Sequence, residues 1–284
     1  MGSMVLTIIG MMLVAYIAVA LILYFMQPTL VYDPVREIPY TPAELGLDFE
    51  EVAFRTGDRV QLHGWFVPAP DASFTVLYCH GNGGNMMYFL DTVNFLNKLG
   101  LNSFLFDYRG YGNSRGRPSE NGTYLDVRAA YRWLVKKKGI PPHRIIIFGW
   151  SLGGTIAAYL AAKVKTAGLV VESAFTSYAD IGSKFYPYMP VRWFARFNYP
   201  TIEYVRKVKC PVLVIHSRDD EMIPFEFGLE IYDAANDPKE FVEIFGGHND
   251  GFQNSNETYK KGWLNWLAFL TESAKVENSQ QKSV

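Results

Sequence analysis

The stretch Phe148–Thr155, "FGWSLGGT", decides how the rest of the chain reads. Residues 144–149 before it, "RIIIFG", have the apolar, β-branched character of a short buried strand. Residues 152–164 after it, "LGGTIAAYLAAKV", have the small-residue composition of a closely packed helix. Between them, Gly149-Trp150-Ser151-Leu152-Gly153 fits G-x-S-x-G, which sets a serine on a sharp strand-to-helix turn. Such a turn holds the serine in a strained backbone conformation, and flanking glycines remove Cβ atoms that would collide. The bare pattern is common, and its strand–turn–helix setting is what makes Ser151 a candidate nucleophile rather than a small residue at a bend. The choice depends on whether the chain also supplies a base, a carboxylate and an oxyanion hole.

Outward from this turn, strands and helices alternate. "FTVLYCH" (74–80) precedes a helix expected near Met86–Leu99, and "NSFLFD" (102–107) one near Tyr124–Lys137. After the central serine come "GLVVES" (168–173) and "PVLVIHS" (211–217), then a helix near Phe227–Ala235. "EFVEIF" (240–245) and an amphipathic helix near Tyr259–Leu270 complete the series. Upstream, "LDFEEVAFRT" and "VQLHGWFVP" alternate about Gly57-Asp58 and predict a hairpin. Near-continuous apolar strands between helices imply an α/β fold, a mostly parallel central sheet with helices on both faces. Functional residues in such sheets gather beyond the carboxyl ends of the strands. Tyr178–Lys209 is too long and too aromatic for a simple connection. It reads either as a small helical cap insertion over a site or as a packed excursion without contact to substrate.

A serine nucleophile needs a base, usually histidine. Of five histidines, His248 lies in "FGGHNDGF", a glycine-rich loop just after a strand. His63 in the hairpin and His143 before a strand read as surface or packing residues. The base needs a carboxylate to orient it, and "HSRDDEMIP" (216–224) offers Asp219 and Asp220, with Glu221 next. Glu172, ending another strand, competes for the same role. "YCHGNGGN" (78–85) also follows a strand, and its glycines let backbone amides approach a ligand. A phosphate loop is the weaker reading, because no G-x-x-x-x-G-K-[ST] occurs. Ser114, in "DYRGYGNSRG" (107–116), has no strand–turn–helix setting.

The order Ser151, aspartate, His248 resembles the α/β-hydrolase superfamily, and the resemblance covers about Leu47 to Leu270. Aligning "HSRDDEMIP" with the superfamily's H-G-x-x-D-x-x-V-P loop implies Asp220 as the acid, with Asp219 one residue off and Ser217 and Ile223 as mild departures. The resemblance implies that the Asn82 and Leu152 amides form the oxyanion hole, supported by His80 and Gly81. It implies that Arg109 braces the oxyanion loop and that Gly149 and Gly153 shape the turn. With "ESAFTS", "YPYMPVRW" and the apolar N-terminus, the chain looks like the single-pass, membrane-anchored branch containing protein depalmitoylases and related esterases. The implied activity is serine hydrolysis of an ester or thioester, extending to a lipid-like acyl part, with no cofactor and no metal. Peptide cleavage or acyl transfer would use the same residues, and a non-catalytic, membrane-tethered binding module is the reading from another class.

Composition narrows the partners. The 284 residues are 49% hydrophobic with a net charge of −1, which argues against nucleic acid. The run Lys136–Lys138 falls at an expected helix end, where cations favour the dipole. Cys79 and Cys210 lie in apolar strand-like runs and read as buried free thiols. No charged side chain precedes Asp33, and the apolar run Val5–Phe25 would span ~31 Å as a helix, enough for a hydrocarbon core. Residues 5–26 therefore read as a retained single-pass membrane anchor after a short tail (1–4), with 27–46 as a linker. Which side of the membrane the domain occupies is left open. A cleaved signal peptide ending at Ala18-Val19-Ala20 is the alternative, though no basic segment precedes it. Residues 271–284 are polar and are expected to form a disordered tail.

Overall fold

The computed structural model describes the backbone of residues 2–281 and side chains through residue 273. Its strands are β1 (Glu50–Arg55), β2 (Gln61–Val67), β3 (Thr75–Cys79), β4 (Asn102–Asp107), β5 (Ile145–Trp150), β6 (Gly168–Glu172), β7 (Val212–Ser217) and β8 (Lys239–Ile244). They form one eight-stranded sheet in the order β8-β7-β6-β5-β3-β4-β2-β1. β3 to β8 run parallel, whereas β2 is antiparallel to β4 and β1 to β2. The helices are α1 (Gly2–Val31), α2 (Leu90–Lys98), α3 (Glu120–Lys136), α4 (Leu152–Ala161), α5 (Tyr178–Phe185), α6 (Val191–Phe194), α7 (Thr201–Val205), α8 (Phe225–Ala234), α9 (Gly251–Asn254) and α10 (Asn256–Gln281).

Period-two alternation along the buried strands divides the core between the two faces. Leu77, Phe104, Phe106, Ile147 and Val171 pack with α3 and α4 on one face. Val76, Tyr78, Leu105, Ile146, Phe148 and Val170 pack with α2 and α10 on the other. Trp263 and Trp266 of α10 are fully buried there, and truncating either to alanine would cost ~3–5 kcal/mol. Adjacent strands are in register, with Cys79 opposite Gly149, Trp150 opposite Glu172, and Ser217 opposite Ile244. Their carboxyl ends therefore share one edge, and the segments after β3, β5, β7 and β8 leave it together.

Several boundaries differ from the sequence expectation for local reasons. α3 begins at Glu120, one turn early, because Ser119 Oγ accepts a hydrogen bond from Gly122 N and caps it. α10 continues to Gln281 where a disordered tail was expected. No glycine or proline interrupts residues 271–281, so nothing stops the helix. Residues 282–284 lie outside the described residues. α1 overruns the expected anchor into the expected linker as far as Val31, burying Gln27 and Val31. Pro28 sits inside it without ending it. The Tyr24 carbonyl that loses its helical donor to this proline is met by Arg196 Nη1 at 3.5 Å. α1 is long and apolar enough to cross a membrane, and its most apolar window is unburied. Beyond it, Asp33–Pro34 pairs in parallel with Gly83–Gly84, so the linker is tied to the loop after β3.

The expected insertion, Tyr178–Lys209, carries α5, α6 and α7 between β6 and β7. It buries Ile181, Tyr199, Val205 and Val208. Both cysteines are free, as expected, with Cys79 buried and Cys210 half-buried.

Candidate active site

Ser151 stands between β5 and α4 with φ +56° and ψ −122°, a conformation costing a non-glycine residue ~1–3 kcal/mol. Its amide donates to Glu172 O at 2.9 Å, and its carbonyl accepts from Gly154 N at 2.9 Å, which fixes the turn on both sides. The flanking glycines are required by backbone contact. A Cβ at Gly149 would collide with the Gly153 carbonyl, and one at Gly153 with the Cys79 carbonyl. Neither obstacle is a side chain that could swing away.

His248, on the loop after β8, brings Nε2 to 3.1 Å from Ser151 Oγ. Its Nδ1 lies 2.8 Å from Asp220 Oδ2, on the turn after β7. An ionised carboxylate only accepts, so Nδ1 carries the proton and Nε2 is left to accept from the serine. The Asp220 Oδ1 accepts from Met222 N at 2.9 Å and Ile223 N at 2.7 Å. Burial pushes the Asp220 pKa upward. The hydrogen bond and charge of His248, together with the Ile223 amide, outweigh it and hold the carboxyl below its ordinary value. Asp219 does not reach the ring; its carboxylate accepts from Gly246 N at 3.4 Å. Glu172 is also elsewhere, buried and accepting from Tyr259 Oη at 2.6 Å, with burial raising its pKa to about 7.

The loop after β3 runs against this turn. A Cβ on Gly81 would lie 2.5 Å from the Trp150 ring and 3.6 Å from Ser151 Cβ. The Asn82 carbonyl accepts from Tyr111 Oη at 2.7 Å and Asp33 N at 3.1 Å, anchoring the residue. The Leu152 amide heads α4, among the first-turn donors that have no intrahelical partner. His80 is fully buried among Tyr108, Tyr111 and Phe89, with Nδ1 2.8 Å from Gly81 O. Burial pushes it down to about 4, so it holds the loop as a neutral ring.

Arg109 corrects one expectation. It does not reach the His80–Asn85 loop, because two carboxylates claim its donors. Nε and Nη2 bind Asp126 at 3.0 and 2.8 Å, while Nη1 and Nη2 bind Asp58 at 2.8 and 3.1 Å. It thereby clamps the hairpin turn to α3. Asp107, two residues earlier, braces the loop instead, with Oδ1 accepting from Met86 N at 2.7 Å.

Three contributors carry little sequence signal of their own. The Trp150 indole lies against the His248 ring with centroids 4.7 Å apart. His216, the first residue of "HSRDDEMIP", donates from Nε2 to Ile223 O at 2.9 Å and sits 3.7 Å from Asp220 Oδ2. Glu221 Oε2 accepts from His248 N at 3.0 Å. Only the close H-to-D spacing in that loop hinted at the second of these.

This sheet order, with a strained serine after β5 and Asp220 and His248 on the segments after β7 and β8, defines an α/β-hydrolase fold. The chain belongs to the α/β-hydrolase family. The family's sequence profile, described as the alpha/beta hydrolase fold, matches residues 75–188. The alpha/beta hydrolase domain-containing protein WAV2 of Arabidopsis thaliana is 34% identical, with the alignment covering 90% of this chain and 91% of that one. The Mycobacterium tuberculosis protein Rv2307c is 38% identical over 84% of this chain and 86% of its own. Among solved structures, the Pyrococcus furiosus esterase Pf2001 superposes with a TM-score of 0.70 at 23% identity, covering 84% of this chain and 97% of that chain, which shows the shared fold.

Proposed function

We propose that the protein is a serine hydrolase that cleaves a carboxylic ester or thioester through an acyl-enzyme. The observation that carries this reading is the Ser151–His248–Asp220 relay, with contacts of 3.1 and 2.8 Å at a serine held at φ +56°. Ser151 Oγ attacks the substrate carbonyl carbon while its proton passes to His248 Nε2. Asp220 stays ionised and stabilises the imidazolium. The Asn82 and Leu152 amides receive the oxyanion, each worth ~2.7–4 kcal/mol to the transition state. Collapse breaks the C–O or C–S bond, and the leaving group takes the proton from His248. Water, deprotonated by the same nitrogen, then releases the acid and restores Ser151.

The esterase identity of a structural neighbour over nearly its whole length supports this chemistry. α1 acts as a retained single-pass membrane anchor, supported by its length, its apolar exposure and its packing on the domain through Gln27 and Val31. Substrates with a lipid-like acyl chain follow from that location. Hydrolysis of an acyl-length series of esters and thioesters by detergent-solubilised full-length protein tests the reading. Turnover that is lost in Ser151→Ala supports it, and equal turnover by both proteins contradicts it.

A further inference from the structure

The insertion between β6 and β7 packs along the apolar N-terminal helix. Tyr16 Oη donates to Tyr188 O at 2.9 Å. Gln27 Nε2 donates to Phe194 O at 2.8 Å, and Gln27 Oε1 accepts from Arg196 N at 2.7 Å. The Arg196 guanidinium lies 5.2 Å from the centre of the Tyr24 ring. Leu23 and Leu30 of α1 face Tyr186, Val191 and Phe194 across an apolar cleft. These contacts run from Gln27 back to Tyr16, about 17 Å along the helix.

That distance has a consequence. A hydrocarbon core is about 30 Å thick, and the Val5–Phe25 run just fills it. With that run in the bilayer, Tyr16 lies about 14 Å inside the edge nearer the globular domain. The contact with Tyr188 then carries the tip of the insertion into the same leaflet. It has no place in bulk water while the helix spans.

The tip has the composition such a position requires. Tyr188 is 88% and Trp193 87% exposed, and Phe185, Tyr186 and Phe194 are exposed beside them. Pro187 and Pro190 have no N–H to desolvate, and the Tyr188 and Phe194 carbonyls accept from α1 side chains. Lys184, Arg192 and Arg196 are exposed, Arg192 pairing with Asp180 at 2.9 Å, and no Asp or Glu occurs between Asp180 and Glu203. Amphipathic aromatic rings flanked by cations suit a segment that enters the acyl chains from the headgroup boundary.

We propose that Lys184–Arg196 is a bilayer-docking surface. It enters the leaflet that holds the domain-proximal half of α1, with Tyr188 and Trp193 among the acyl chains and Lys184 and Arg196 at the level of the lipid phosphates. The proposal rests on α1 being a retained anchor. Together the helix and the docked tip fix the orientation of the hydrolase domain on the membrane.

The test reconstitutes full-length protein into phosphatidylcholine vesicles with brominated acyl chains. Flotation reports anchoring, and tryptophan quenching is compared between wild type and Trp193→Phe, which alters an exposed ring outside the core. The expected result is flotation of both proteins and a bromine-quenched component present in wild type and lost in Trp193→Phe. Flotation with a Trp193 component quenched by aqueous iodide and untouched by bromine overturns the docking surface and leaves the anchor standing. A component reached by neither quencher places Trp193 against protein, such as a second copy, and also overturns it. Failure to float overturns the anchor and the docking surface together.

Discussion

The Trp150 indole lies against the His248 imidazole, with ring centroids 4.7 Å apart and planes inclined by 33°. The same indole fills the space that a side chain at Gly81 would need, and it packs on Phe89. One residue of the serine turn therefore touches both the His248 ring and the loop after β3. Trp150→Ala should slow reaction of Ser151 with acyl substrates by about 10²-fold, the scale of an ångström's misplacement of a reacting group. Trp150→Phe should restore part of the loss. Single-turnover kinetics with both variants checks this; a wild-type rate in Trp150→Ala would show that the ring positions nothing.

Asp220 and Asp219 are adjacent in sequence, yet only Asp220 meets His248 Nδ1. Asp220→Asn replaces the acceptor that fixes the ring's tautomer and should lower kcat by roughly 10⁴-fold. Asp219→Asn should change it less than a few-fold. Steady-state kinetics of the pair decides between the two carboxylates, and the reverse ranking would reassign the acid.

Arg109 serves stability by binding Asp126 and Asp58. Arg109→Ala leaves the buried Asp126 carboxylate without its cation and should destabilise the fold by ~3–5 kcal/mol. The reactivity of Ser151 in the molecules that remain folded should be unchanged. Denaturant unfolding beside active-site titration separates these effects, and a reactivity loss at full stability would return Arg109 to the oxyanion loop.

Glu172 gives stability a pH dependence. Burial raises its folded-state pKa to about 7, above the unfolded carboxyl value near 4.5. Between those values the folded state holds a proton that the unfolded state has released. Its contribution is therefore complete below about pH 4.5 and is lost as pH rises to about 7, about 3 kcal/mol in all at ~1.4 kcal/mol per pKa unit. Glu172→Gln, which keeps an acceptor for Tyr259 Oη, should flatten this part of the curve. Chemical unfolding of both proteins across that window checks the sign; an unchanged slope would assign the dependence to other groups.

Much of this arrangement is legible in the sequence because the chemistry is encoded locally. The strand–turn–helix around Ser151, the D-D pair after "PVLVI" and the glycine-rich loop carrying His248 each announce themselves within ten residues. Parallel register then brings them together without further instruction. Contacts between distant segments are not legible in this way. Nothing near "DYRGYG" shows that Asp58 and Asp126 will take the Arg109 guanidinium. Nothing near Tyr16 shows that Tyr188 will be its partner. The end of α10 is illegible for a different reason: polar composition suggests a tail, although the stretch through Gln281 contains no glycine or proline.

Activation of Ser151 as a nucleophile is read most directly by intact-protein mass spectrometry after exposure to a fluorophosphonate. One phosphonyl adduct per folded chain is expected, mapped to Ser151 and absent from Ser151→Ala. A folded wild-type chain that takes no adduct, or takes it equally after Ser151→Ala, would contradict that activation.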